Sequence, residues 1–131
     1  MAQTIIVADD HPLFRAALKQ AVSQAVPDAE TVEVDSIKAL QAAVESHPDA
    51  DLVLLDLNMP GAHGFSGLVF MRGQYPGLPV VVVSGSEELQ VMRRSIDYGA
   101  SGFIPKSAPL PTITEAIQAV LEGDVWWPQG V

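Results

Sequence analysis

Runs of consecutive apolar residues alternate along this chain with stretches in which apolar residues recur every three or four positions. The runs Thr4 to Ala8, Thr31 to Val34, Asp51 to Leu55, Pro79 to Val83 and Gly102 to Ile104 read as short strands, apolar enough to be covered on both faces. Helical spacing groups Leu13, Phe14, Ala17, Leu18, Ala21 and Val22, then Ile37, Leu40 and Val44, then Phe65, Leu68 and Val69. It continues through Leu89, Met92 and Ile96, and ends with Ile113, Ile117, Val120 and Leu121. Five strands alternating with five helices predict an α/β fold, a doubly wound five-stranded parallel sheet with helices on both faces. Gly67 and Gly73 make the third helix the weakest of the set. Breakers punctuate the scheme: Pro27-Asp28, His47-Pro48-Asp49 and Tyr75-Pro76-Gly77 close helices before strands, and Tyr98-Gly99 stops the fourth. Ser86 is placed to cap the fourth helix, with Glu87 and Glu88 in its first turn.

Composition narrows the function classes. A chain of 131 residues that is 48% hydrophobic can fill one core without metals or cross-links. The 7 basic and 16 acidic side chains give a net charge of −9, and the basic ones are scattered, a poor basis for gripping nucleic acid. Cysteine is absent, which excludes a disulfide frame and a thiolate zinc site. The start MAQTIIVADDH has no secretory signal pattern, and no run approaches the ~20 apolar residues needed to cross a bilayer. A cytoplasmic location without membrane association is expected. GDVWWPQGV follows the fifth helix as a tail or the start of a linker, so residues 1–123 are expected to form the domain and 124–131 to lie outside it.

The polar exceptions to the apolar strands fall at one address. Asp9 and Asp10 end the first strand, Asp56 the third and Ser84 the fourth, while Lys106 follows the fifth. In an open α/β sheet of order 2-1-3-4-5, ligands bind beyond the carboxyl ends of the strands, where the order reverses between strands one and three. A lone aspartate there is usually a turn or cap residue. Three converging carboxylates instead repel one another unless a cation compensates. Oxygen donors suit Mg²⁺ better than zinc, because His11, His47 and His63 lie on different connections and only His63 is expected near the site. Lys106 and the Ser84 hydroxyl suit phosphate oxygens. Together these groups fit phosphoryl transfer onto Asp56 as an acyl phosphate. Gly61, Gly64 and Gly67 are not followed by the GK[ST] of a phosphate cradle, and the first two lie in a loop after Asn-Met-Pro, so turn geometry accounts for them better.

ADDHPLFR, LLDLNMPG, VVVSGS and GASGFIPKS, in that order, resemble the receiver domain of bacterial two-component response regulators over nearly the whole chain. The resemblance implies a flavodoxin-like receiver fold, with Asp56 as phosphoacceptor. It implies Mg²⁺ bound directly by Asp10 and Asp56, with Asp9 acting mainly through water and the backbone carbonyl of Asn58 as a further ligand. Ser84 and Phe103 match the hydroxyl and aromatic switch positions, and Lys106 the lysine that contacts phosphate. The implied partners are a sensor histidine kinase or a small phosphodonor, and a second copy docked through the face of helix four, strand five and helix five, including Val91, Arg94 and Tyr98. DDHPLFR and PKS most resemble the subclass carrying a C-terminal LuxR-type helix-turn-helix, so DNA would be reached only through a domain missing from this chain.

The sequence departs from the family pattern at Pro105-Lys106-Ser107, where proline precedes the lysine instead of following it, and at His63, where an acid is common. Two rivals remain. An aspartyl-nucleophile Mg²⁺ phosphohydrolase would need a second acid where this chain has Asn58, and a phosphorylation-independent pseudo-receiver would not need the intact acidic set.

Overall fold

The computed structural model describes residues 3–61 and 64–128. Its elements are β1 (Thr4–Ala8), α1 (Pro12–Ala25), β2 (Glu30–Val34), α2 (Ile37–Ser46), β3 (Leu52–Asp56), α3 (Ser66–Gln74), β4 (Val80–Ser84), α4 (Leu89–Asp97), β5 (Gly102–Pro105) and α5 (Leu110–Leu121). The strands are all parallel, in the order β2-β1-β3-β4-β5. Each strand agrees with its expected span to within a residue at either end. Among the described residues, no helix is long and apolar enough to cross a membrane.

Strand parity sorts the core into two layers, because successive side chains leave a strand on opposite faces. Ile6, Ala8, Val53, Leu55, Val80, Val82 and Phe103 join Leu40, Val44, Leu68, Met71 and Met92 from α2, α3 and α4. Ile5, Val7, Leu52, Leu54, Val81, Val83 and Ile104 join Leu18, Val22, Ile113, Ile117 and Val120 from α1 and α5. With helices on both faces, the three central strands are apolar at consecutive positions instead of alternating. Gly67 belongs to this packing: a Cβ there would lie 2.8 Å from Ile37 Cδ1, so the glycine that disfavours α3 also lets it settle against α2. Gly61 and Gly64 adopt φ of +87° and +63°, the turn role expected of them.

Several helix positions differ from their expected burial. Leu13 is 90% exposed, because it precedes Val22 by about two and a half helical turns and therefore faces away from the buried stripe of Leu18, Ala21 and Val22. Val69, Leu89 and Ile96 are also exposed. In α4 the buried stripe runs through Met92 and Ser95 instead of Ile96, since the Ser95 hydroxyl donates to Val91 O at 2.9 Å and enters the interior satisfied. Ser86 does not cap α4. Its hydroxyl accepts from Glu88 N at 3.2 Å in a local turn, the helix starts at Leu89, and Glu87 accepts instead from Ser107 Oγ at 2.9 Å. The Gly99 stop has the expected form, with φ +91° and its N–H donating to Ile96 O.

The segment after α5 returns to the sheet. Trp126 forms a parallel bridge with Gly102, donating to Ser101 O at 3.0 Å and accepting from Phe103 N at 3.2 Å. Its indole packs on the α1/α5 layer, whereas Trp127 packs on the opposite layer, so the pair straddles the free edge of β5. Residues beyond the expected boundary at 123 thus meet the edge of β5 through Trp126 and Trp127, and residues 129–131 lie outside the described residues. A Cβ at Gly102 would meet Trp126 O at 2.9 Å. Gly102→Val is therefore expected to detach this segment while the sheet stays folded, giving a red-shifted tryptophan emission and faster exchange of the Trp126 amide. Unchanged emission and exchange would show that the bridge does not hold in solution.

Candidate functional site

Register builds the site. Ala8 pairs with Leu55, so the next residues along these two strands, Asp9 and Asp56, emerge side by side where the sheet reverses order. Asp56 pairs with Val83, Ser84 pairs with Pro105, and Lys106 N donates to Ser84 O at 2.8 Å, which carries Lys106 to the same rim.

Lys106 Nζ lies 3.1 Å from Asp9 Oδ2 and 3.1 Å from Asp56 Oδ2, bridging two fully buried carboxylates. Its stem passes Phe14, whose ring centroid is 5.2 Å from the ammonium. Backbone amides hold the other oxygens: Asn58 N donates to Asp56 Oδ1 at 3.0 Å, and His11 N to Asp9 Oδ1 at 2.6 Å. Arg15 braces the turn from outside, donating to Asp9 O at 3.0 Å and pairing with Glu33 at 3.4 Å. Asp9 Oδ2 and Asp10 Oδ1 are buried without a hydrogen-bond partner among the described residues, although Asp9 Oδ2 has its ionic contact with Lys106. Buried oxygens in this condition are suited to a cation.

The expected site residues divide into three groups. Asp9, Asp10, Asp56 and Lys106 converge. Ser84 stands at the rim, buried, its Oγ accepting from Ser86 N at 3.0 Å. Phe103 is buried within the α2/α3/α4 layer, two residues before the rim pair of Ser84 and Pro105 on β5. Asn58 contributes its amide to Asp56 and is exposed. On the output face, Val91 packs against the core, while Arg94 and Tyr98 turn towards the start of α3, lying 5.6 Å and 5.3 Å from the Phe65 ring. Neither contact reaches α5.

One histidine expectation is overturned. His11, set aside because the histidines lie on different connections, has its Nδ1 2.6 Å from Lys106 Nζ and 3.5 Å from an oxygen of each of Asp9, Asp10 and Asp56. It is part of the group of metal-capable donors. Its place directly after Asp10, one residue before the α1 start, was the signal. His47 caps the end of α2, away from the site, and His63 lies outside the described residues.

A family model described as the response regulator receiver domain matches residues 5–118. A glycerol metabolism activator of Pseudomonas putida is 43% identical over 127 residues, covering 97% of this chain and 58% of its own length. The nitrate/nitrite response regulator protein NarL of Escherichia coli K12 is 32% identical over 122 residues, with 93% and 56% covered. Among solved structures, a LuxR family DNA-binding response regulator from Silicibacter pomeroyi superposes with a TM-score of 0.85 at 29% identity, covering 98% of this chain and 99% of that one. The chain thus spans somewhat more than half the length of these curated relatives.

Proposed function

This chain belongs to the family of response regulator receiver domains, and from that premise we propose that it is a phosphorylation switch with Asp56 as the phosphoacceptor. The observation that carries the reading is the Lys106 ammonium, 3.1 Å from both Asp9 Oδ2 and Asp56 Oδ2 at the reversal of the sheet. A carboxylate oxygen of Asp56 forms a bond to phosphorus while the bond from phosphorus to the donor breaks. The donor is a phosphohistidine of a sensor kinase or a small acyl phosphate, and it leaves as imidazole or as carboxylate. Lys106 follows the phosphoryl oxygens and Ser84 Oγ donates to one of them. Asp9, Asp10, Asp56 and the Asn58 carbonyl would hold Mg²⁺, a reading supported by the buried Asp10 Oδ1, which has no hydrogen-bond partner among the described residues. When bound, the ion offsets the negative charge gathered around the transferring group.

Ser84 and Phe103 then relay the modification to the face of α4, β5 and α5, where a second copy docks. DNA binding belongs to an output segment outside these 131 residues, in keeping with the net charge of −9 and with the transcriptional activators and regulators among the relatives. A cytoplasmic setting supplies the kinase. The phosphohydrolase alternative has no support from the family match or the structure.

Incubation with acetyl phosphate and Mg²⁺ tests the reading. The intact mass is expected to rise by one phosphoryl group that hydroxylamine releases, as an acyl phosphate requires. A chain that gains no mass in the presence of Mg²⁺, or gains it in a hydroxylamine-resistant form, would overturn the proposal.

A further inference from the structure

We propose that the groove between the start of α5 and the Trp126-Trp127 edge binds a linear organic dication, an alkyl diamine or an aminoalkyl guanidine. The groove has a volume of about 500 Å³, ample for a molecule of that size. It is separate from the acidic rim, and nothing in the proposal depends on the chemistry of Asp56. The groove exists because pairing along the outer edge of β5 stops early. Trp126 N donates to Ser101 O, and Phe103 N donates to Trp126 O. The next donors of this parallel ladder would be the nitrogens of Pro128 and Pro105, which carry no proton. The edge is therefore left uncovered towards the rim, between the tail and α5.

Charge selects the ligand. Glu87, ahead of α4, and Glu115, within α5, both line the groove, and among the described residues no lysine, arginine or histidine does. Lys106 lies in sequence between two lining residues, Pro105 and Ser107, yet its ammonium turns to the acidic rim, 3.1 Å from Asp9 Oδ2 and from Asp56 Oδ2. Two carboxylates from different elements thus share one cavity that holds no cation of the protein's own. Acids on a surface are ordinarily just solvated, and what sets this pair apart is the apolar, aromatic surface beside them. Trp126 and Trp127 offer indole faces, which attract cations and cover alkyl stems. The walls are also fixed in advance. Backbone bonds hold Trp126, the rings of Pro105, Pro109 and Pro128 lock their φ, and Ser107 Oγ orients Glu87 by donating to its Oε1 at 2.9 Å. A prearranged groove spends little free energy on ordering when it binds. A monocation would leave one glutamate unmatched and a neutral rod both, whereas a stem with a cation at each end matches the two acids and lays its methylenes on the indoles. The net charge of −9 raises the local concentration of such ligands.

Agmatine is the probe, titrated into the unphosphorylated chain at constant ionic strength by calorimetry and by tryptophan emission. The chain has only two tryptophans, and both line the groove, so emission reports this site directly. Saturable binding with a dissociation constant on the order of 1 mM is expected, as suits a ligand of this size. Butylguanidine, which keeps the stem and the guanidinium but lacks the amine, should bind about fivefold more weakly, the contribution of one partly exposed ion pair. The double variant Glu87→Gln/Glu115→Gln should bind agmatine about tenfold more weakly and lose the preference over butylguanidine. Both positions are exposed, and glutamine at 87 keeps an oxygen for Ser107, so the variant should unfold at the wild-type urea midpoint. Wild-type affinity in the double variant would overturn the proposal by placing the dication on the acidic rim. Equal affinity for agmatine and butylguanidine, binding that leaves the emission unchanged, or no saturable binding would overturn it as well. The titration involves no phosphoryl transfer, so failure of the receiver reading would leave its outcome intact.

Discussion

Asp56→Asn is expected to abolish phosphoryl uptake from acetyl phosphate while leaving a folded protein at least as stable as wild type. The amide has nearly the shape of the carboxylate, and its oxygen can keep the 3.0 Å hydrogen bond from Asn58 N. Its neutral oxygen and nitrogen are poor nucleophiles and do not form an acyl phosphate. Stability should not fall, because Asp9 and Asp56 are both fully buried and share one ammonium. Removing one of two like charges leaves the other with an undivided partner. Intact mass after incubation reads the first effect and urea unfolding the second. Phosphoryl uptake by the variant to the wild-type stoichiometry would show that another side chain is the acceptor.

The central strands were legible because burial on both faces demands nothing of them but apolar residues. Leu52 to Leu55 and Val80 to Val83 announce this by their unbroken succession. The acidic rim followed from the same strands, since a charge at the end of such a run has only the ligand crevice to occupy. Helix faces were less legible, because spacing records which residues are apolar and not which of them reach the sheet. Leu13 fits the periodicity and points to solvent, while Ser95 breaks it and is buried with its hydroxyl bonded to the preceding turn. His11 is not legible as a site residue, because separation along the chain does not record separation in space. It sits beside Asp56 only because β1 and β3 are neighbours in a sheet whose chain order is interrupted. Trp126 was missed for a related reason. A single residue that pairs with an edge strand carries no periodicity, and its mark was instead on its partner, Gly102, where no side chain fits beneath the Trp126 carbonyl.

Lys106→Met should have the second large effect, on stability and on rate together. Methionine keeps an unbranched stem beside Phe14 and removes the charge. In wild type the Lys106 side chain is only 16% exposed, and its ammonium lies 3.1 Å from each of two carboxylates whose side chains have no solvent exposure. Removing one partner from such a buried cluster costs about 3–5 kcal/mol, because the remaining charges lose attraction without regaining water. Repulsion among Asp9, Asp10 and Asp56 adds to the loss and simultaneously raises the benefit of a divalent cation. The urea midpoint of Lys106→Met should therefore drop in chelator and recover as Mg²⁺ is added, by a larger increment than wild type shows. Phosphoryl uptake at saturating Mg²⁺ should slow by about 10²–10³-fold, the loss usual for a single group aimed at developing negative charge. A variant with the wild-type midpoint in chelator and the wild-type rate would place the Lys106 ammonium in solvent, and the bridge between Asp9 and Asp56 would then have no part in either fold or chemistry.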